Sequence, residues 1–231
     1  MCRMFAYVGD SNKELMQLYS ALKKAAEHDP IAERLGVGFK SHGDGWGYVI
    51  AGDDGSLYHY RTAKAIYEDL HEVPKINGNF SAIFHVRKAS DNTTIRPSFS
   101  HPLLEDNERE LIFFAHNGSI KKEPLAKELG FDGVAIDSEL AAKLFARDGI
   151  RCMRLLEKNT KSALNLLIMS IDRKTGKVKI SYKNYYVKKD RSEFYDLYYK
   201  KLDNGRAVYS STLDLLGLNG NKVAGDGLGR L

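Results

Sequence analysis

The chain has 231 residues, of which 43% are hydrophobic and 28% are charged. This balance is typical of a globular protein and excludes a disordered or membrane-embedded chain. The net charge of +5 permits an anionic partner without requiring one. Two cysteines, Cys2 and Cys152, are too few for a disulfide framework or a four-cysteine zinc site. The first residues predict no secretory signal, and the longest apolar stretches are too short for a membrane span, so a cytoplasmic location is expected.

The first half of the chain alternates between strand and helix patterns. Apolar, aromatic-rich residues 3–9 predict a strand, and the spacing of Leu15, Leu18 and Leu22 predicts a helix over residues 12–28. A glycine-rich turn at 43–47 and a hairpin turn at 53–55 follow. The next predicted elements are strands over 48–51, 56–61, 80–87 and 111–116, with a short helix over 63–71.

The second half has a run of helices and then a run of strands. Helices are predicted over 123–129, 137–147 and 150–158, and strands over 163–172, 177–187, 195–202 and 206–211. The glycine-rich residues 217–231 predict a flexible tail. Separate runs of strands and helices favour an α+β architecture with antiparallel sheets covered by helices. Since the composition has no break, we expect one domain over residues 1–231.

Cys2 is the first candidate for chemistry. Its small side chain favours removal of Met1 by an aminopeptidase, which would leave cysteine at the amino terminus. A free α-amine has a pKa near 7.7–8.0, so the same residue would then carry both a thiol nucleophile and a general base. The alternative is that a small residue merely follows the start codon.

Three polar segments end or interrupt apolar strands, and each permits two interpretations. Asn117-Gly118 offers a side-chain amide and a backbone N–H as oxyanion donors, or it forms a plain turn. Arg87 can clamp a carboxylate or serve as a structural ion-pair partner. Asp137 can receive an ammonium group or cap the helix that follows it.

Together these segments resemble the class II glutamine amidotransferases, a branch of the N-terminal-nucleophile hydrolases. The matching segments occur in the family's order: Cys2, His85 to Ser90, Ser100-His101-Pro102, His116 to Gly118, and Asp137 to Glu139. The turn 44–47 is similar to that of the stand-alone subgroup, in which no synthase domain follows. The resemblance implies a four-layer αββα sandwich of two antiparallel sheets.

The resemblance also implies roles for these residues in cleaving the side-chain amide of glutamine. Cys2 would attack the amide carbon, while Asn117 and Gly118 would stabilise the oxyanion. Arg87 would bind the substrate α-carboxylate and Asp137 its α-ammonium group. Water would then hydrolyse the thioester, and ammonia would leave without help from a metal or cofactor.

The resemblance assigns further side chains less directly. Ser90 and His101 match positions that line the family's pocket, although His101-Pro102 can also be a rigid loop. Strand alternation predicts that His85 and His116 face away from the site as packing or supporting groups. Cys152 is predicted to be a buried core thiol.

The acceptor of the ammonia is open at this stage. The glutaminase-type segment uses nearly the whole chain, and the family's Arg-Gly-Tyr/Gln-Asp segment here reads Ser41-His42-Gly43-Asp44. Either a separate synthase subunit uses the ammonia, or the protein is a free-standing hydrolase of glutamine or of a γ-glutamyl compound.

Two non-enzymatic alternatives are also considered. Residues 183–206, taken as an exposed hairpin, mix tyrosines with Lys and Arg, a combination that can bind single-stranded nucleic acid. Acidic residues dilute this charge, so nucleic acid is an unlikely partner and docking of another protein is the better use of the hairpin. A non-catalytic scaffold is disfavoured because Cys2, Arg87, Asn117, Gly118 and Asp137 are all present.

Overall fold

The computed structural model describes residues 2–231, so the predicted removal of Met1 lies outside the described residues. Over this range the strands form two antiparallel sheets. Sheet 1 contains β1 (Arg3–Gly9), β2 (Trp46–Gly52), β3 (Leu57–Thr62), β4 (Phe80–Val86), β9 (Leu197–Lys201), β10 (Gly205–Ser210) and β11 (Asn221–Lys222). Sheet 2 contains β5 (Leu103–Asp106), β6 (Glu110–Ile120), β7 (Thr160–Asp172), β8 (Val178–Lys183) and β12 (Leu228–Arg230).

The strand order places the first strand in the middle of its sheet. Sheet 1 has the order β11-β9-β10-β1-β4-β2-β3, and sheet 2 has the order β12-β8-β7-β6-β5. β1 pairs with β10 on one side and β4 on the other, with Arg3 opposite Val86 at the start of the strand. The residue that precedes β1 therefore lies beside the end of β4.

Helices cover the outer faces of both sheets. The helices are α1 (Asn12–Glu27), α2 (Pro30–Arg34), α3 (Lys122–Leu129), α4 (Asp137–Asp148), α5 (Met153–Lys158), α6 (Ser192–Tyr195) and α7 (Ser211–Leu213). Short 3₁₀ segments add Asn92–Thr94, Pro97–Phe99, Gly149–Cys152 and Lys189–Arg191. The predicted helix over 150–158 is therefore a 3₁₀ turn followed by α5.

The alternation of side chains along β1 shows how the layers are built. Phe5 and Tyr7 pack on one side in a cluster with α1. Met4 and Ala6 point the other way and pack in a cluster shared by both sheets. Leu144 of α4 packs on the outer face of sheet 2. The predicted α+β fold, a four-layer αββα sandwich, is confirmed.

One local prediction is wrong. Residues 63–71 form turns instead of a helix, because Asp69 turns inward to accept hydrogen bonds from Trp46 Nε1 at 3.0 Å and Tyr60 Oη at 2.7 Å. Within residues 217–231, two short strands pair with the sheets: β11 joins β9, and β12 joins β8. The flexibility of this tail stays a prediction.

Residues 183–206 do not form an exposed hairpin, so that prediction is also wrong. The segment leaves sheet 2 at the end of β8, forms α6 and enters sheet 1 as β9. Phe194 and Tyr195 are buried, and Lys183 is buried in an ion pair with Glu157 at 2.7 Å. These three side chains are therefore not available to stack on or track a nucleic-acid strand. Within residues 2–231, no helix has the length and apolar character needed to cross a bilayer.

Candidate active site

Cys2 lies where the two sheets approach each other. It directly precedes β1 in sheet 1, and its backbone nitrogen donates a 2.8 Å hydrogen bond to Oδ1 of Asn117 in β6 of sheet 2. Arg87 follows β4, the neighbour of β1. The topology thus brings together three motifs that are far apart in the sequence.

A cavity of about 390 Å³ opens at this junction. Its lining includes six of the seven predicted site residues: Cys2, Arg87, Ser90, His101, Gly118 and Asp137. The seventh, Asn117, is buried beside them through its bond to Cys2. The structure therefore gathers all seven predicted residues around one pocket.

Asn117 and Gly118 belong to a strand, so the interpretation of this pair as a plain turn is wrong. β6 continues to Ile120, with a register shift between Gly118 and Ile120. Gly118 has a φ of 150°, and an added Cβ would lie 1.9 Å from the carbonyl oxygen of Ala163. Only glycine fits this position.

The two ends of the Asn117 amide have different surroundings. Oδ1 accepts the hydrogen bond from Cys2. Nδ2 is buried and has no hydrogen-bond partner among residues 2–231. A buried donor without a partner carries an energetic penalty, and such a group calls for an explanation. A ligand oxygen in this pocket would supply the missing acceptor.

Arg87 is held by a loop and not by an ion pair. Its Nη1 and Nη2 donate to the carbonyl oxygen and to Oγ1 of Thr94, both at 2.9 Å, and it makes no salt bridge within residues 2–231. Arginine has five N–H donors, so three remain for a ligand. Asp44 supports the next residues by accepting from Ala89 N and from Lys88 Nζ, both at 2.9 Å.

Asp137 is the first residue of α4 and does not cap it, since Ile136 occupies the N-cap position. Its Oδ2 accepts a 2.8 Å bond from the backbone of Ile120, and its Oδ1 accepts from Ser138. The carboxylate therefore ties α4 to the end of β6 while it lines the pocket. The cavity is therefore lined by both the Asp137 carboxylate and the Arg87 guanidinium.

The Cys2 thiol has an unusually low pKa. Burial alone would raise it, but the positive amino terminus, the His85 ring and the backbone N–H of Lys88 lower the pKa to about 5. A thiolate is the reactive form of cysteine. By contrast, burial raises the pKa of Cys152 to about 12. Cys152 lies in the core beneath α4, which confirms the prediction of a buried thiol.

The prediction that His85 faces away from the site is wrong. His85 and Arg87 are two residues apart, and two residues is the repeat of a strand, so both side chains point to the same side. The His85 ring lies 4.4 Å from the His101 ring and influences the Cys2 thiol. Its Nε2 donates to the carbonyl oxygen of His116 at 3.2 Å.

The other two histidines of the pocket are buried and neutral. His116 lines the cavity, contrary to the prediction, because it shares a face with Gly118 two residues later. Its Nε2 donates to Ala163 O at 3.2 Å, so its Nδ1 accepts from Ser138 Oγ at 2.9 Å. Burial lowers the pKa of His101 well below its usual value. Neither ring nitrogen of His101 has a partner among residues 2–231.

Sequence analysis missed a charged cluster directly behind Cys2. Arg3 Nε donates to Asp29 Oδ2 at 2.7 Å, and His42 Nε2 lies 2.8 Å from the same oxygen. All three side chains are fully buried. Thr212 donates to the other carboxylate oxygen at 2.9 Å. The one sequence signal was an arginine at the start of an apolar strand. No group of three or more His, Cys, Asp or Glu side chains in the described range could hold a metal ion.

No protein-family model matches this chain, and no curated protein matches it significantly. Among solved structures, it is similar to the glutamine phosphoribosylpyrophosphate amidotransferase of B. subtilis, complexed with ADP and GMP, at 18% identity and a TM-score of 0.62. The alignment covers 96% of this chain and 44% of that chain. It is also similar to an allosteric regulatory enzyme of purine biosynthesis, at 18% identity, a TM-score of 0.61, and 95% and 44% coverage. The chain has the N-terminal-nucleophile hydrolase fold.

The two alignments cover nearly the whole of this chain. The chain nevertheless spans less than half the length of those two solved proteins. A predicted glutamine amidotransferase from Pseudomonas aeruginosa PA01 aligns over 100% of this chain and 89% of that chain at 11% identity. Its TM-score of 0.37 is too low to support an inference. The similarity to solved proteins therefore concerns the fold alone.

Proposed function

We propose that this protein is a glutamine amidohydrolase of the class II glutamine amidotransferase type, with Cys2 as the nucleophile. The observation that carries the proposal is the environment of Asn117. Its Oδ1 holds the backbone nitrogen of Cys2, while its Nδ2 is a buried donor with no partner in residues 2–231. This is the arrangement needed to position an amino-terminal cysteine and to stabilise negative charge beside it.

The proposed reaction begins with removal of Met1, which makes the Cys2 nitrogen a free amine. The amine takes the thiol proton, and Sγ attacks the side-chain amide carbon of glutamine. The resulting oxyanion is stabilised by Asn117 Nδ2 and the backbone N–H of Gly118. The carbon–nitrogen bond then breaks, the nitrogen takes a proton, and ammonia leaves a γ-glutamyl thioester. Water cleaves the thioester to release glutamate.

The charges of the pocket support an amino-acid substrate. Glutamine carries an α-carboxylate and an α-ammonium group, and the pocket offers Arg87 with three free N–H donors and the carboxylate of Asp137. In this proposal each binds the end of opposite charge. Ser90 and His101 complete the lining, and His101 offers a hydrogen bond through a neutral ring.

The His85 ring supports the nucleophile. The low pKa of the Cys2 thiol, to which His85 contributes, favours the reactive thiolate at neutral pH. We assign His85 a positioning and electrostatic role, and Cys152 no role in the reaction.

The destination of the ammonia is part of the proposal. The chain spans 44% of the length of the two solved enzymes that share its fold. In this proposal the ammonia passes to a separate acceptor subunit or is released. The alternative is hydrolysis of a small γ-glutamyl compound at the same site. Nucleic-acid binding is not proposed, because Phe194 and Tyr195 are in the core.

Ammonia release from glutamine, combined with mass spectrometry of the purified protein, tests the proposal. We expect active protein to lack Met1 and Cys2→Ala to lose glutaminase activity by more than about 10³-fold. Cys152→Ala is the matched control and should retain activity after correction for its stability. Full activity in Cys2→Ala, or activity in protein that keeps Met1, would contradict the mechanism.

A further inference from the structure

The mouth of the pocket carries four cations that the proposed reaction does not use. We call Lys122, Lys161, Lys188 and Arg191 the basic rim; all four line the cavity that contains Cys2. Lys122 begins α3, Lys161 lies in β7, and the other two lie between β8 and α6. Three separate parts of the fold thus contribute positive charge to one opening.

The charge of the basic rim is little neutralised by the protein itself. Within residues 2–231, Lys122, Lys161 and Lys188 make no salt bridge, and Arg191 has only a 3.9 Å contact with its neighbour Asp190. Lys88 differs, since it pairs with Asp44 at 2.9 Å. Among the described residues that line the pocket, the acidic ones are Asp137 and the exposed Asp91. A cleft lined by excess charge of one sign concentrates ligands of the opposite sign.

Glutamine as the ligand does not account for the excess positive charge of the basic rim. Its α-carboxylate and α-ammonium group are matched by Arg87 and Asp137, and its side-chain amide is uncharged. The cavity of about 390 Å³ is also within the size range of sites for molecules much larger than an amino acid. Both the charge and the space remain unused when the ligand is glutamine.

We infer that the physiological substrate is a γ-glutamyl amide whose amine portion carries a carboxylate or a phosphate, and that the basic rim binds this anion. The inference rests on the proposed function and names its substrate class. The γ-glutamyl end occupies Arg87 and Asp137, and the substituent on the amide nitrogen extends toward the basic rim. Sγ of Cys2 attacks the amide carbon, the carbon–nitrogen bond breaks, and the nitrogen leaves with a proton as an anionic amine. Water then releases glutamate from the thioester.

Three synthetic amides test the inference on the purified, processed protein: γ-glutamyl-ethylamide, γ-glutamyl-glycine and the γ-glutamyl amide of 2-aminoethyl phosphate. At low ionic strength we expect kcat/KM to be about tenfold or more higher for an anionic amide than for the neutral one, since several exposed ion pairs act together. Added salt should reduce this ratio. A higher value for the glycine or the phosphate compound identifies the preferred anion, and either supports the subsite.

A variant with Lys161→Gln, Lys188→Gln and Arg191→Gln should bring the ratio close to one. The control, Lys13→Gln with Lys64→Gln and Lys75→Gln, removes the same charge from exposed positions outside the pocket and should keep the ratio. Equal kcat/KM for neutral and anionic amides in the wild type would overturn the inference while leaving the proposed function intact. A preference for anionic amides that persists in the rim variant would also overturn the inference. Failure to hydrolyse glutamine and all three amides would overturn both proposals.

Discussion

The backbone nitrogen of Cys2 and Oδ1 of Asn117 are 2.8 Å apart, and this bond joins the residue before β1 of sheet 1 to β6 of sheet 2. In the proposed reaction, the nucleophile is therefore held by the same side chain that offers an oxyanion donor. Because the two groups belong to different sheets, the distance between them depends on how the sheets pack against each other.

Replacing Asn117 tests the oxyanion role. Negative charge on the substrate oxygen develops in the transition state, so loss of one donor should lower kcat by roughly 10²–10³ with little change in KM. Steady-state kinetics of Asn117→Ala give both values. Asn107→Ala, in the β5–β6 turn, is the control for general destabilisation. An increase in KM alone would show that Asn117 serves substrate binding and not the transition state.

Arg87 and Asp137 are expected to act on substrate binding. Arg87→Lys retains the charge but loses the planar pair of donors, and Asp137→Asn removes the charge facing the ammonium group. Each should raise KM by about ten- to a hundredfold, the range for one charged hydrogen bond, with a smaller effect on kcat.

Thr94→Val separates binding by Arg87 from support of its loop. It removes one of the two anchors of the guanidinium without touching its free donors. If Arg87 is only structural, Arg87→Lys and Thr94→Val will both lower the melting temperature and leave KM unchanged. If Arg87 binds the substrate, the increase in KM should be much larger for Arg87→Lys than for Thr94→Val.

The two thiols should differ sharply in reactivity with pH. Cys2 has a pKa of about 5 and Cys152 of about 12, so alkylation by iodoacetamide at pH 6–7 should modify Cys2 alone. Its rate should rise as pH increases through 5 and then level off, because the thiolate is the reacting form. His85→Gln should shift this midpoint upward. An ordinary midpoint near 8.5 in the wild type would show that the surrounding charges do not act on Cys2.

The buried cluster behind Cys2 makes a prediction about stability. Burial, together with the charge of Arg3, lowers the pKa of His42 to about 4, against about 6.5 in an unfolded chain. Between these values the unfolded state binds more protons, so the free energy of unfolding falls as pH decreases from 6.5 toward 4.

His42→Gln isolates that contribution from those of the other buried histidines. Glutamine can still donate to Asp29 but does not titrate, so the stability advantage of the wild type over His42→Gln should shrink as pH falls. Denaturant unfolding at several pH values measures the difference. An advantage that grows in acid would mean that His42 is protonated in the folded state and pairs with Asp29.

The fold and the site were predictable where the information is local or carried by motifs. Alternation in β1 and β4, together with the helical spacing in α1, follows from side chains that face one core. The candidate site residues could be selected because each motif suggests a chemical role on its own, and the structure gathers them around one pocket. Their roles in a reaction stay a prediction.

What the sequence did not reveal depends on contacts between distant residues. Asp69 prevents a helix by bonding to Trp46 and Tyr60, and no local pattern reports this. The ion pair between Arg3 and Asp29 joins two residues that are distant in the sequence. Its one sign in the sequence is an arginine at the start of an apolar strand. His85 was misjudged for a different reason, since the period of a strand already placed it on the side of Arg87.

The short strands β11 and β12 have a consequence for association between copies of the chain. They pair with β9 and β8, the outermost long strands at one side of each sheet. Open strand edges are templates for association with other chains, and very short edge strands are poor templates. Deletion of residues 220–231 should therefore expose unpaired backbone on both sheets at once. We therefore expect residues 220–231 to limit self-association, so that their loss appears as aggregation before any change in the chemistry at Cys2.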